Sequence, residues 1–289
     1  MEGSGDTLIV QHEPKVRARV LPFLSAAYRV ARVSPFRVLR GRRLLALILL
    51  AYSPVLVVLL MRIFGATSSL GVGGFVDGAT SLYITVIFPV TLLFLGAAAI
   101  GDEIDNGTLL YLRLRPVGRG AIVCGRYFAA TLSSVVLLAP PLILLYLIQV
   151  GARGSALLHE QLPLLFVMLG DVVLASLSYG ALFLLFSLLL RHAVITGVFF
   201  VLGWEVFVSA VIPSKAALAT VSFHLRAILW NETHEGGELA GQMTSFDEAG
   251  TLPSTFQSGV GLLVATLVLL ALACWVFRTK EYIERPGDA

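Results

Sequence analysis

Apolar residues in this chain gather into six long runs, about 44–64, 80–100, 121–150, 163–190, 193–212 and 257–277, with polar breaks between them. Each is about 20 residues or longer, which at 1.5 Å of rise per residue lets a helix cross roughly 30 Å of hydrocarbon. A helix also closes its own backbone hydrogen bonds, which lipid cannot supply. The pattern predicts an all-α integral membrane protein with six transmembrane helices over residues 44–277. Only Arg191 and His192 part the fourth run from the fifth, so those two should form an antiparallel hairpin.

The polar stretches carry their own expectations. Residues 1–22 read as a mobile cytoplasmic tail, without the apolar core that a cleavable leader needs. Over 23–43, Leu24, Ala27, Tyr28 and Ala31 recur at helical spacing while Arg29 and Arg32 project elsewhere. Ser34-Pro35 opens a further turn carrying Arg37, Arg40, Arg42 and Arg43. This is the pattern of a basic amphipathic helix lying on the anionic cytoplasmic leaflet. Residues 65–79, rich in Gly and Ser, read as an irregular outer loop. The long outer loop 213–256 begins with KAALATVSFHLRAILW, a short amphipathic helix dipping into the outer leaflet. It ends in a solvated acidic part with Glu232, Glu235, Glu238, Asp247 and Glu248. Pro54, Pro89 and Pro140-Pro141 fall inside spans and should kink or locally unwind them. Ser176 and Gly180, four apart, should let another helix approach the fourth span closely.

Charge orients the bundle. With the N-terminus inside, the cytoplasmic side holds 17 of the 21 Lys and Arg residues, and the outer side only Arg62, Arg153, Lys215 and Arg226. That is a positive-inside distribution, with both termini and the tail 278–289 in the cytoplasm of a cell (plasma or inner) membrane. Composition agrees, at 57% hydrophobic and 13% charged residues. The net charge of +3 does not point to nucleic acid, because the cations flank apolar runs and form no aromatic-interleaved patch. Cys124 and Cys274 have neither a disulfide framework nor a CxxC spacing around them.

Chemistry is sparse. The chain has no GxxxxGK[ST] phosphate loop, no GxSxG elbow and no HExxH pair, so it is not expected to be an enzyme by itself. No cofactor or metal is expected on it. Two acids, Asp171 and Glu205, fall inside the fourth and fifth spans, both about 12 Å below the outer hydrocarbon edge. They either line a translocation path or are hydrogen-bonded between helices. The other feature is the polar stretch 101–126 between the second and third spans. There the second span ends near Ile100, and Asn106-Gly107 makes a turn. Thr108 then caps a short helix, LLYLRLR, that Pro116 stops. A short rigid helix held beyond the membrane suits the reception of force from a soluble partner.

At these residues the chain resembles the permease subunits of type-2 ABC exporters. The resemblance rests on Glu103, Gly107-Thr108-Leu109, Pro116-Val117, Arg119, Ile122 and Gly125-Arg126, followed by His224-Leu225-Arg226 and the Phe277-Arg278 exit. Arg126 stands where the family usually carries Lys, and Arg113 and Arg115 make the loop more basic than usual. The resemblance implies a permease that pairs with a second copy or a paralogue and binds two separate ATPase subunits. ATP and Mg would be held by those subunits, and loop 101–120 would contain the coupling helix that drives outward transport. The alternatives are a non-transporting membrane scaffold and an integral-membrane lipid enzyme.

Overall fold

The computed structural model describes residues 42–65, 72–105, 119–151, 154–190, 192–208, 217–233, 243–244, 246–247, 250 and 252–279. Every regular element among them is helical: α1 (Arg42–Ile63), α2 (Val72–Gly78), a π-helical stretch (Ala79–Ile87), α3 (Phe88–Asp105), α4 (Arg119–Gln149), α5 (Ser155–Glu160), α6 (Leu162–Leu189), α7 (Ala193–Phe200), a second π-helical stretch (Val201–Val206), a single 3-10 turn (Ala217–Ala219), α8 (Val221–Thr233) and α9 (Thr255–Thr279). The amphipathic segment 23–41, the turn and short helix predicted between residues 106 and 118, and the tail 280–289 lie outside the described residues.

Helix α6 is the axis of the bundle and packs against α3, α4, α8 and α9. It buries most of its circumference and leaves a narrow exposed stripe at Leu162, Phe166 and Val173. Leu165, Met168, Val172, Ala175, Tyr179 and Phe183 all lie in the main core. Small residues set the closeness of approach. A Cβ on Gly96 of α3 would lie 2.9 Å from the Phe183 Cβ, so α3 and α6 meet at nearly backbone distance. Gly180 faces Thr131 and Tyr127 of α4, as its spacing from Ser176 predicts. A second apolar cluster joins α4, α6 and α9 through Tyr127, Leu184, Leu188, Ala273 and Phe277. There the Cys124 and Cys274 sulfurs lie 3.9 Å apart, as free thiols. Helices α1 and α9 keep rows of large apolar residues exposed, Leu45, Leu49, Leu56 and Ile63 on α1 and Val264, Leu267, Val268 and Trp275 on α9. Such surface is compatible with lipid and not with water.

Five helices are long and apolar enough to cross a membrane. The predicted fifth span, 193–212, is helical as far as residue 208, where the described stretch stops, and its apolar part covers Ala193–Glu205. Among the described residues, then, the count is five spans and one shorter apolar helix. The predicted hairpin does form: α6 ends at Leu189, Leu190 is extended, α7 starts at Ala193, and Phe186 meets Phe200 edge-on at 5.4 Å.

Two local expectations need correction. Residues 72–79 are helical and packed, with Phe75, Val76 and Ala79 buried, where a Gly-rich outer loop was expected. Glycine weakens an isolated helix by about 1 kcal/mol. Here tertiary contacts override that cost: Gln149 Nε2 of α4 donates to the Gly74 carbonyl at 2.9 Å, and Tyr146 packs edge-on against Phe75. The apolar part of the second span ends at Ala99, close to the expected Ile100, and the helix α3 carries on beyond it to Asp105. Backbone hydrogen bonding has no reason to end where the hydrocarbon does. Finally, α1 and α4 continue as α-helix through Pro54 and Pro140-Pro141 without unwinding. At Pro89, the remaining proline of that expectation, the helix does deviate. Pro89 has no N–H for the Thr85 carbonyl, and the stretch Ala79–Ile87 ahead of it is π-helical, with Phe88 N–H reaching back to the Tyr83 carbonyl.

Candidate functional site

The chemistry-bearing groups gather where α8 enters the bundle beside α6. Thr220 precedes α8 and its Oγ1 accepts the Phe223 N–H at 3.3 Å, an N-cap bond. The helix then buries Ser222, Phe223, Leu225, Arg226, Ala227, Ile228 and Leu229. The segment was expected to be amphipathic, half in lipid. It is a core element instead, covered by α6, α9 and the first π-helical stretch.

Glu205 is buried at 2% exposure and faces the start of this helix. Its Oε2 accepts from the Tyr179 hydroxyl of α6 at 2.7 Å, from the Ser222 hydroxyl at 2.8 Å and from the Ser222 N–H at 3.1 Å. Its Oε1 accepts the Val221 N–H at 3.1 Å. All four partners donate, and two of them are the first N–H groups of a helix, the end whose dipole favours negative charge. Arg226, one turn further along α8, is also buried, and its Nη2 donates to Thr85 Oγ1 at 2.8 Å in the π-helical part of the second span. Arg226 is within electrostatic reach of both Tyr179 and Glu205. His224 Nε2 pairs with the Leu218 carbonyl at 2.9 Å, closing the turn before α8. One network thus ties the second span, α6, the segment after α7, and α8.

Asp171 is treated differently. It lies on α6, fully buried, and neither carboxyl oxygen has a hydrogen-bond partner among the described residues. It lines a cavity of about 440 Å³ between α6, α8 and α9, shared with Ile228, Glu232, Phe256 and Gly259. Glu205 does not line this cavity, so the structure does not bring the two intramembrane acids into one pocket.

The residues of the polar stretch 101–126 divide in three. Glu103 is in the last turn of α3 and Arg119 is the first residue of α4. Gly107, Thr108, Leu109, Arg113, Arg115 and Pro116 lie outside the described residues. Arg126 is two turns into α4 and buried at 7% exposure. No cluster of three or more His, Cys, Asp or Glu suited to a metal occurs among the described residues.

Sequence reasoning found Asp171 and Glu205 by depth and named Arg226 only within the family motif His224-Leu225-Arg226, but missed Tyr179 and Ser222. Thr220 ahead of an apolar run is a capping signal that marks the start of α8. Nothing in the sequence marks Tyr179 as its partner across the bundle.

With this geometry in place, the comparison with known families is specific. The family model of the ABC-2 family transporter protein matches residues 27–282. The chain belongs to that family, and it is a multi-pass membrane permease of the ABC transporter class. No curated protein matches it.

Proposed function

We propose that this chain is the transmembrane subunit of an ABC exporter, moving a substrate outward with energy from ATPase subunits docked on the 101–120 loop. The observation that carries this reading is the family match over residues 27–282, which spans the whole helical bundle. The form of the second span supports it. Helix α3 continues past the apolar run through Glu103 to Asp105, and α4 starts at Arg119. A loop held between two helices that run unbroken into the bundle can pass a push at Glu103, Gly107, Thr108, Leu109, Arg113, Arg115, Pro116 or Arg119 to the spans. Arg126 lies on the receiving helix. Two such ATPases and a second permease, a copy or a paralogue, complete the assembly in the cell membrane, with both termini in the cytoplasm. ATP and Mg belong to the ATPases. Asp171 and Glu205 are the path candidates. Since Glu205 already accepts four hydrogen bonds from the chain, Asp171 is the one with capacity for a passing substrate.

Co-expression with ATPases of the ABC class tests the reading. The tagged chain should retain an ATPase through purification, and Glu103→Ala combined with Gly107→Val should lower the retained ATPase about tenfold, the loss of about 1.4 kcal/mol of docking energy. If no ATPase binds, or if the double variant retains it fully, the docking proposal is wrong.

A further inference from the structure

The chain has two cysteines, 150 residues apart, and they meet between α4 and α9 with their sulfurs at 3.9 Å. Both are free thiols and both are half-buried, so neither is sealed inside the core. Packing holds them face to face. Val123 and Tyr127 of α4 belong to the same apolar cluster as Ala273 and Phe277 of α9, and Cys274 itself packs on that cluster. The Tyr127 hydroxyl also donates to the Leu177 carbonyl of α6 at 3.0 Å, which fixes this end of α4. The thiols lie near the polar ends of their helices. Cys124 is five residues from Arg119, the first residue of α4, and Cys274 is five residues from Thr279, the last of α9. At 1.5 Å per residue each is about 8 Å from the end of its helix. A small uncharged oxidant reaches that depth from water.

A thiol in a helix interface can serve simply as a small hydrophobe. What distinguishes this pair is mutual reach: the sulfurs need to approach by only about 2 Å to attain the bonded separation of about 2.05 Å. We propose that Cys124 and Cys274 are an oxidative modification site, which hydrogen peroxide converts into a disulfide tying α4 to α9. In the first step one sulfur attacks peroxide. An S–O bond forms, the O–O bond breaks and water leaves, giving a sulfenic acid. In the second step the other sulfur attacks the first. The S–S bond forms, the S–O bond breaks, and the hydroxyl departs as water with the second thiol's proton. Two thiols and one peroxide thus give one disulfide and two waters, the sulfurs losing two electrons and the peroxide gaining them. A dithiol reductant returns both thiols by exchange. On the proposed topology this is the cytoplasmic end, where disulfides are transient ones that catalyse or sense. The consequence rests on the permease reading, in which α4 receives the push from loop 101–120. A bond to α9 holds that helix back.

The test uses the full chain in lipid nanodiscs, reduced and then freed of reductant, with no ATPase present. Hydrogen peroxide should remove both free thiols together, as counted with a maleimide after denaturation. Peptide mapping should find the Cys124 segment joined to the Cys274 segment, in a chain that still runs as a monomer. Dithiothreitol should restore both thiols. Cys274→Ser keeps the side chain's size and removes one thiol, so Cys124 should stop at the sulfenic acid and be captured by dimedone. Cys124→Ser should do the same at Cys274, whereas oxidised wild type should give little adduct. The proposal is overturned if wild type keeps two free thiols, if dimedone captures it as fully as the variants, or if the disulfide joins only separate chains. Should a Ser variant fold poorly, the wild-type map decides alone. With an ATPase bound, peroxide should lower the ATP turnover of the wild-type complex and leave that of Cys274→Ser unchanged. Turnover unaffected by a fully formed bond would overturn the restraint on α4. A chain that forms the bond yet retains no ATPase would fail the permease reading and leave the modification site intact.

Discussion

Asp171 and Glu205 are both carboxylic acids buried in the same bundle, yet they have opposite surroundings. Four donors converge on Glu205, three of them from the start of α8. Around Asp171 there is no donor among the described residues, and an open cavity lies alongside. The difference separates two uses of an intramembrane acid. A saturated carboxylate fixes helices, because each lost partner would leave a buried charge uncompensated. An unsaturated one is kept at a cost to stability, and such costs collect where a ligand relieves them. The neighbours, more than depth in the membrane, distinguish the two.

The largest effect should come from breaking the saturated side. Glu205→Ala strands the first N–H groups of α8, the Tyr179 hydroxyl and the nearby Arg226 together. The expected loss is about 3–5 kcal/mol, read as a lower unfolding temperature in nanodiscs. Hydrogen exchange at the Val221 and Ser222 amides should quicken in parallel. An unfolding temperature equal to wild type would mean that Glu205 does not hold α8. Tyr179→Phe makes a smaller cut. The ring can keep its stack with Phe183, centroids 5.9 Å apart, so that only the hydroxyl is lost. A hydrogen bond to a charged group is worth about 1.5–3 kcal/mol, and the variant should fall in that interval. Combined with Glu205→Ala it should add almost nothing, since the two share one interaction. Full additivity would separate Tyr179 from the network.

Much of this architecture was legible in the runs of apolar residues. Helices α1, α4, α6 and α9 lie where those runs predict, because lipid imposes one length and one backbone solution. What stayed hidden depends on neighbours. The segment VGGFVDG reads as loop by composition and becomes helix because Gln149 and Tyr146 of α4 pack on it. Helix α8 reads as amphipathic because Ser222, His224 and Arg226 are polar, yet those side chains point to Glu205, the Leu218 carbonyl and Thr85 inside the protein. Depth alone identified the two acids as unusual. Their division into one saturated and one open group depended on Tyr179, 26 residues from Glu205, and on Ser222, 17 residues away. No local pattern encodes those pairings.

The smallest expected effect is also the sharpest, because its sign is reversed. Asp171→Asn replaces a buried carboxyl that has no partner among the described residues by a neutral amide of the same shape. No hydrogen bond from the described residues is lost, and the desolvation of a charge-bearing group is removed. The apo chain should therefore become more stable by about 1 kcal/mol, against a loss of several for Glu205→Ala. A destabilisation in Asp171→Asn comparable to that of Glu205→Ala would mean that the carboxyl is held by the fold after all, and the contrast between the two acids would fail.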